Sequence, residues 1–467
     1  MRARIVRYAA GITFIAAAGI AHAAGTPTPR RAATPEAEVR AVLAAWQAAI
    51  EGKDVDAAAS LCAADFRQEE MSDQTGQEAA REVASFYTSG RRGATTIDVS
   101  HAVIVVRGTV ATAEHVRIGS VRRATYEHRF SFRKEAGGWK IAEIEEGIQV
   151  PVELDMPGLG PDYLALADRW AGANLEWAQR TLRANPPQGG DSTLRAFALH
   201  RIDEPLHLWS APQLAAVQAY FRGAIDDAIA GMRAERVTQG ATIWKLYNQG
   251  WIVRTANHTW GHDIYDGVDR AKMTDEQVDA ILGQIDVLFI SHWHGDHLSM
   301  RVVKRALAKG IPVLLPPVPE RARGELAALG PGATVIEQGA DGEVRGIRYH
   351  AYPGHQDGLP NNCFATTTDG MTILHTGDQR WEADYPWIER IGDERAVDVL
   401  LAAIWTIEDG RAVRGVRPRV VIPGHENELG HGFDGRFPYH RDYDIITGPP
   451  QQWYVLSWGE RVHVDPR

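Results

Sequence analysis

Cysteine is nearly absent from this sequence, which limits what can hold the fold together. Only two cysteines occur among 467 residues, Cys62 and Cys363. A disulfide scaffold of the kind found in small secreted domains is therefore excluded. We interpret Cys363 as a core residue. A disulfide between the two is not expected, because they fall in different predicted domains, but the sequence leaves their redox state open.

An excess of basic residues is also lacking. Lysine and arginine total 50 against 60 aspartates and glutamates, for a formal net charge of −10. Proteins that bind nucleic acid neutralise phosphates with basic surfaces, and this balance opposes such binding. We expect a small-molecule substrate and no nucleic-acid partner.

Several catalytic signatures are missing as well. The chain has no Gly-x-Ser-x-Gly elbow, no P-loop and no dinucleotide-binding glycine fingerprint. These motifs position a nucleophilic serine, a nucleotide phosphate and a pyrophosphate, respectively. Chemistry that depends on any of the three is not expected.

The start of the chain has no apolar run long enough to span a membrane, but it has a shorter one. The run 8–21 follows Arg2, Arg4 and Arg7, and is shorter than the roughly 20 residues that a membrane span requires. The small-x-small site at 21–23 follows it, so residues 1–23 are predicted to be a cleaved signal peptide. We expect a periplasmic or secreted protein without a stable membrane anchor; an uncleaved anchor is the alternative.

Metal-ligating side chains are concentrated in the stretch Ser-His-Trp-His-Gly-Asp-His at 291–297. A buried strand is predicted directly before it and an amphipathic helix directly after it. His292 and His294 are two residues apart in extended chain and point the same way, whereas Asp296 and His297 lie where the chain turns. Three imidazoles and a carboxylate suit a borderline-soft divalent cation such as zinc.

This motif resembles the His-x-His-x-Asp-His signature of the metallo-β-lactamase superfamily of hydrolases. Three later strand-like runs each lead into a further candidate ligand, in the family's order, and the resemblance covers about residues 240–445. It implies two metal ions per chain and seven ligands. One metal would be held by His292, His294 and His355, the second by Asp296, His297 and His425, with Asp378 bridging them.

The same resemblance implies the chemistry. Zinc is the expected metal, with Mn²⁺ or Fe²⁺ left open, and a metal-activated water is the expected nucleophile. Asp296 and Asp378 are the predicted catalytic carboxylates. A further aspartate at a strand end would orient a ligand imidazole through its free N–H; we predict Asp266, with Asp263 as the alternative.

Residues around the substrate are harder to identify. We predict that Trp293, Arg436 and Tyr439 line the pocket, with Trp405 as another aromatic candidate. The alternatives are a core position for each tryptophan and a surface salt bridge for the arginine.

The rest of the chain divides into further predicted units. Helical spacing followed by strand alternation over 34–148 resembles the SnoaL-like group, which has the nuclear-transport-factor fold, and it predicts an α+β cone that binds, dimerises or shapes the substrate entrance. A helical connecting segment is predicted at 160–235. The catalytic domain is predicted at 240–467 as an αβ/βα sandwich, so the fold class is α+β.

Three functions remain open from the sequence. The first is a metal-dependent hydrolase of an ester, lactone or amide. The second is a phosphodiesterase similar to the phospholipase-D-type members of the superfamily, and the third is a non-catalytic metal-containing binding protein. A structural zinc site is usually mononuclear and closed, which disfavours the third. The oligomeric state is open between a monomer and a homo-oligomer.

Overall fold

The computed structural model describes most of the chain from residue 34 onwards. The ranges that it does not describe are 1–33, 69–74, 90–94, 121–122, 146, 151–159, 191, 319–325, 328, 331, 357–358, 433–434, 447–448 and 450–451. The predicted signal peptide therefore lies outside the described residues. None of the described helices combines the length and apolarity needed to cross a bilayer.

Three helices open the cone, and their starts follow from local capping. They are α1 (Pro35–Glu51), α2 (Val55–Ser60) and α3 (Gln77–Thr88). The Thr34 hydroxyl accepts a hydrogen bond from the first turn of α1, and the Asp54 carboxylate does the same for α2. On the inner face of α1, the Trp46 ring packs edge-on against Phe130 and Tyr87, at centroid distances of 5.2 and 5.9 Å.

These helices pack on a curved sheet. Its strands are β1 (Cys62–Arg67), β2 (Thr95–Asp98), β3 (Val103–Arg107), β4 (Val110–Ser120), β5 (Arg123–Glu135), β6 (Gly138–Ile144) and β7 (Ile148–Gln149). The order is β1-β6-β5-β4-β2, with β3 pairing with β4 and β7 with β5. One apolar cluster, which includes Leu43, Phe66 and Phe132, fills the space between helices and sheet.

Two local predictions in the cone are wrong. The sequence predicts a helix that starts at Asp54 and runs through Leu61 towards Phe66, but α2 ends at Ser60, and Cys62–Arg67 is a strand parallel to β6. The sequence also predicts one continuous strand over 95–107, but a turn divides this stretch into β2 and β3. In both places the sheet partner decides the conformation, since strand propensity depends on packing against neighbours.

The connecting segment consists of α4 (Gly160–Ala184), α5 (Thr193–Leu206) and α6 (Ala215–Ala234). A 3₁₀ turn, Ala211–Gln213, precedes α6. Leu175, Leu199 and Phe221 from these helices share one core with Trp244 and Leu288 of the following sheet. The segment therefore covers the outer face of that sheet.

The carboxyl-terminal half contains two larger sheets. The first has the order β15-β14-β13-β10-β9-β8-β22 and the second β16-β17-β18-β19-β20-β21. Their strands are β8 (Ala241–Lys245), β9 (Trp251–Arg254), β10 (Thr259–His262), β13 (Val287–Phe289), β14 (Val313–Leu315), β15 (Ala333–Val335), β16 (Asp341–Val344), β17 (Ile347–Gln356), β18 (Leu359–Thr368), β19 (Met371–His375), β20 (Val399–Ala403), β21 (Val420–Gly424) and β22 (Arg461–Val464). A small hairpin, β11 (Gly267–Val268) and β12 (Ala271–Lys272), lies beside them.

The two sheets face each other across an apolar layer that includes Trp251, Phe289 and Phe364. Helices cover both outer faces, so the layers run α, β, β, α. These are α7 (Asp275–Leu282), α8 (Met300–Ala308), α9 (Tyr385–Ile388), α10 (Ile391–Glu394), α11 (Ile404–Ile407), α12 (Arg411–Val416) and α13 (Tyr439–Ile445). The predicted fold class, an α+β cone followed by an αβ/βα sandwich, is confirmed.

Strand direction explains where a site can form. Strands β10, β13 and β14 are parallel in the first sheet, and β19, β20 and β21 are parallel in the second. Their carboxyl ends meet at one edge of each sheet, and this is the edge from which ligand-bearing loops leave.

Candidate metal centre

Every candidate ligand lies at or just after the end of a strand. The stretch 291–297 follows β13, and His355 is the penultimate residue of β17. Asp378 comes three residues after β19, and His425 immediately follows β21. Both sheets thus contribute to one place, although the residues are separated by up to 133 positions in sequence.

Four of these side chains converge closely. Ligand atoms of Asp296, His297, Asp378 and His425 all lie within 4.8 Å of one another. Nε2 of His297 is 3.1 Å from Oδ1 of Asp378, and Nε2 of His425 is 3.1 Å from Oδ2 of the same carboxylate. Oδ2 of Asp296 lies 3.3 Å from His297 Nε2 and 3.1 Å from His425 Nε2. Asp378 therefore stands between two imidazoles, as a bridging carboxylate would.

The donor atoms of this cluster fit a metal ion. Among the described residues, Nε2 of His292, Nε2 of His297 and Oδ1 of Asp378 are buried and make no hydrogen bond. A buried polar atom left unsatisfied costs about 1–3 kcal/mol, so several in one place call for a partner. Imidazole nitrogen and carboxylate oxygen are the ligands that divalent transition metals prefer.

The remaining three candidates are placed less tightly. The His292 and His294 rings are 4.7 Å apart between centroids, and His292 is 4.2 Å from His297. His355 contacts the loop that carries Asp378, because its backbone N–H donates to Gln379 Oε1 at 2.8 Å. No group of ligand atoms within 4.8 Å, in the described part of the chain, unites these three histidines. Their assignment to one metal stays a prediction.

The carboxylate that orients the ligand imidazoles is Asp263, and the choice of Asp266 is wrong. Asp263 Oδ2 accepts from Nδ1 of His297 at 2.8 Å and from the Ser291 hydroxyl at 2.5 Å. The Ser291 oxygen is in turn 2.9 Å from Nδ1 of His292. With both Nδ1 atoms engaged, each ring is left with Nε2 for a metal.

Asp266 does not stand at the strand end. The sequence predicts that this strand ends just before Asp266, but β10 ends three residues earlier, at His262. Asp263 then sits at the strand end, with a left-handed φ of 42°, and its Oδ1 accepts from the Ser291 backbone. Asp266 faces helix α8 instead. It accepts from the Ser299 hydroxyl and from Arg301, both at 2.6 Å.

Burial and charge act against each other at these groups. Burial lowers the pKa of His292 well below its usual value, and the neighbouring imidazoles of His297 and His294 lower it further. Burial opposes ionisation of Asp378 too, yet His297 and His425 hold its pKa well below the usual range. The same pairing with Asp378 raises the pKa of His425 to about 10 in spite of burial. The carboxylates and imidazoles thus stabilise one another's charged forms.

A cavity of about 260 Å³ opens beside the cluster. Its lining is Gly147, Tyr265, Val268, Asp269, Lys272, Gly295, Asp296, Glu428, Leu429, Gly430 and His431. Asp296 belongs both to the cluster and to the cavity wall, so a molecule in the cavity would lie against the candidate metal ligands.

The three predicted pocket residues do not line this cavity. Trp293 is buried with the core under the first sheet. The Arg436 guanidinium donates to the backbone carbonyls of His431 and Leu429 and of residues at the end of α5. Tyr439 is fully buried, with its ring 5.2 Å from the Lys245 ammonium. Each prediction is wrong because tertiary packing turns the side chain inward.

Apart from Trp405, the other residues at the site were not predicted. Asn248 Nδ2 donates to Asp296 Oδ2 at 2.8 Å, from a turn that the sequence indicates only as a hairpin loop. His431 Nδ1 lies 2.6 Å from Glu428 Oε2 in the cavity wall. Trp405, weighed earlier as an aromatic candidate, places its ring 4.5 Å from His425. No local motif marks these residues, since each reaches the site through the fold.

Residues 243–425 match a family model described as the beta-lactamase superfamily domain. That stretch of the chain belongs to the beta-lactamase superfamily. The superfamily domain contains every candidate ligand from His292 to His425, and the resemblance inferred from the sequence is confirmed.

Three solved structures are similar to portions of the chain. A metallo hydrolase from the archaeon Ignicoccus hospitalis is 18% identical and covers 49% of this chain and 99% of its own, with a TM-score of 0.39. A diiron β-hydroxylase from Streptomyces venezuelae is 14% identical and covers 53% and 61%, with a TM-score of 0.37. An NTF2-like protein from Pseudomonas putida is 16% identical and covers 26% and 90%, with a TM-score of 0.22. A search of curated proteins finds no match to the chain.

Replacing each of the two aspartates by asparagine, in separate variants, tests which one orients the ligand imidazoles. Asp263→Asn is expected to weaken metal binding about 10- to 100-fold, because outer-shell partners of ligand histidines contribute that much to affinity. Competition with a chromogenic chelator measures it. The matched variant Asp266→Asn should keep the affinity and lower only the melting temperature, since it loses the contacts to Ser299 and Arg301. Equal affinity losses in both variants would contradict the assignment.

Proposed function

We propose that the chain is a metal-dependent hydrolase of a small, uncharged ester, lactone or amide. The convergence of Asp296, His297, Asp378 and His425 within 4.8 Å carries this proposal. The cavity wall includes Asp296, so substrate and cluster share one space. Membership of residues 243–425 in the beta-lactamase superfamily supports a catalytic rather than a purely structural role for the cluster.

We further propose two zinc ions per chain, held by the ligands described above, with manganese or iron as the alternatives that metal analysis distinguishes. When bound, the cations would supply Lewis acidity that activates a water and polarises the bond to be cut. The chain's own residues hold the geometry. Asp263 fixes His297, and Asn248 fixes Asp296 by donating to its Oδ2 at 2.8 Å.

Charge in the cavity favours a neutral substrate over a phosphodiester. The lining contains the carboxyl groups of Asp269, Asp296 and Glu428, against the cations of Lys272 and, when protonated, His431. The Arg436 guanidinium, which could have bound a phosphate, is instead buried and bonded to backbone carbonyls. The proposed metal ions would attract either class of substrate, so the difference lies in the protein groups, and the described lining adds neither a fixed fork of donors nor several cations for a phosphate.

His431 is the group best placed to return a proton to the leaving group. Its Nδ1 pairs with the buried Glu428, and this carboxylate raises the imidazole's pKa against the effect of burial. The side chain is 40% exposed and lines the cavity, and Glu428 contacts only Nδ1, so we assign the proton transfer to Nε2. An acid with a pKa near the working pH is the most effective general acid.

The cone supplies one point of the cavity wall, Gly147. A Cβ at this position would lie 2.6 Å from the His128 ring, so only glycine fits without a shift. We propose that the cone shapes the entrance for the substrate. Apolar side chains fill the inner face of the cone, so we place the role of the cone at the entrance and not in its interior.

A substrate panel tests the proposed activity. Purified chain should hydrolyse chromogenic esters or lactones and leave bis-nitrophenyl phosphate nearly intact, because the lining adds only Lys272 and His431 as protein cations to the proposed metal pair. Chelation should abolish the activity, and zinc should restore it. Asp378→Ala, which removes the carboxylate between two imidazoles, should lose both metal and activity.

His350→Ala is the matched control, since His350 also pairs with one aspartate, at 2.9 Å, but lies outside the cavity lining. Hydrolysis that survives both chelation and Asp378→Ala would rule the metal centre out as the catalyst. Preferential cleavage of the phosphodiester would replace the proposed substrate class with the phosphodiesterase alternative.

The role of His431 predicts a specific pH profile. With a raised pKa, the imidazolium persists above its usual pH range, and the rate should fall only when alkaline pH removes that proton. His431→Gln is expected to lower kcat by about 10²- to 10⁴-fold and to abolish this alkaline limb. Metal content should not change. Lys272→Gln, another lining residue, should keep the limb; its loss in both variants would show that the limb belongs to another group.

We also propose that the protein is exported and acts in the periplasm or outside the cell. The basic start, the short apolar run and the small-x-small site at 21–23 support this. Expression of the full chain in a bacterial host should give a mature protein that begins at Ala24, as determined by amino-terminal sequencing of the periplasmic fraction. An intact Met1 in a cytoplasmic fraction would contradict export.

A further inference from the structure

A second cluster of metal-ligating side chains lies outside the beta-lactamase superfamily domain's own ligand set. It forms where α5 (Thr193–Leu206) meets α13 (Tyr439–Ile445). Ligand atoms of His200, Asp203 and His440 all lie within 4.8 Å of one another. None of these residues lines the cavity described above.

The distances within this cluster fit a single cation. Nδ1 of His200 is 3.4 Å from Nδ1 of His440, and the latter is 3.0 Å from Oδ2 of Asp203. Two nitrogens bound tetrahedrally to zinc at about 2.0–2.1 Å are about 3.3–3.4 Å apart. The separation of the two imidazole nitrogens is therefore the one that a shared zinc ion imposes.

Protons alone can satisfy this arrangement only by sharing. If Nδ1 of His440 carries a proton, that one proton faces both Asp203 Oδ2 at 3.0 Å and His200 Nδ1 at 3.4 Å, and His200 must carry its own proton on Nε2. A cation would instead accept one electron pair from each imidazole nitrogen and one from the carboxylate.

Asp203 is prepared as a ligand by its surroundings. It is 3% exposed, and its Oδ1 accepts from Asn427 Nδ2 at 2.9 Å and from the Tyr439 backbone at 2.7 Å. These bonds fix the carboxylate and leave Oδ2 towards His440. Outer-shell bonds of this kind orient the ligands of metal sites in general.

Capping of α13 is the plainer explanation, and it accounts for part of the cluster. Asp203 accepts from the backbone N–H groups of Tyr439 and His440, which begin that helix. Capping does not require His200. That imidazole comes from one turn earlier on α5, yet its Nδ1 faces the nitrogen of His440. The convergence of both rings is what a cap leaves unexplained.

We propose that His200, Asp203 and His440 bind one divalent transition-metal ion, for which Zn²⁺ is the probe. This ion joins the connecting segment to the end of the catalytic half. Asn427 donates to Asp203, so the ion also restrains the loop that follows His425. That loop includes Glu428 and His431 of the cavity wall. The site is a structural clamp, separate from the cation pair proposed for catalysis.

Metal stoichiometry tests the proposal on the full chain. Wild type, His200→Ala, His440→Ala and the control His350→Ala are dialysed against Zn²⁺, and zinc per chain is measured by mass spectrometry. The wild type and the control should each hold one zinc more than the two cluster variants. Loss of a direct ligand should weaken the site by more than about tenfold, since even outer-shell partners contribute 10- to 100-fold. Equal zinc contents in all four proteins would overturn the proposal.

A variant that gains a spectroscopic signal keeps the test informative even if the alanine variants misfold. His200→Cys places a thiolate in the site, and Co²⁺ loading should then produce a thiolate-to-metal charge-transfer absorption that His440→Ala in the same background removes. No such absorption, in a protein with a native circular dichroism spectrum, would also overturn the proposal. The catalytic ligands are intact in every variant, so this outcome is independent of whether the chain hydrolyses esters.

Discussion

Burial of several ionisable groups at one point is the constraint on which the rest of the catalytic half depends. His292, His297, Asp378 and His425 are each at most 2% exposed. An isolated buried charge is very costly, so such groups persist only when they are paired or hold a metal. Here His297 and His425 each lie 3.1 Å from the Asp378 carboxylate, and Asp263 accepts from Nδ1 of His297.

These groups come from both sheets of the sandwich, and contacts between the sheets hold them together. Ser291 of the first sheet accepts at its carbonyl from the Asn362 backbone of the second, at 2.8 Å. Gly377 lies between them with φ of 52°, and a Cβ there would be 2.2 Å from Asn361 Oδ1. The same Cβ would lie 2.6 Å from the Ser291 side chain, so a larger residue at 377 would have to displace Asn361 or Ser291. A fully buried ion pair, Lys245 with Glu426, holds the chain on either side of His425.

The parts outside the superfamily domain are packed onto it in different ways. The connecting helices share its largest apolar core, and Arg195 of α5 is buried in an ion pair with Glu460 at 2.5 Å. This segment is therefore part of the catalytic half in energetic terms, although it precedes the matched residues in sequence. The cone keeps an apolar core of its own, as expected of a unit that folds around its own sheet.

The sequence by itself determined the parts of the answer that are encoded locally. The motif at 291–297, the order of the later ligand motifs and the change from helical to strand periodicity were enough to predict the superfamily and the fold class. The helix starts at Thr34 and Thr274 are also encoded locally, because each capping hydroxyl accepts from a backbone N–H three residues further on.

Only the tertiary structure decided which side chains act on those ligands. Because β10 ends at His262, Asp263 and not Asp266 stands at the strand end, where it contacts His297. Trp293, Arg436 and Tyr439 turn into the core, while Asn248, Glu428 and His431 reach the site from loops with no motif. Likewise, His200 meets His440 across 240 residues. Contacts of this kind depend on how sheets and helices pack, and no local pattern of residues records them.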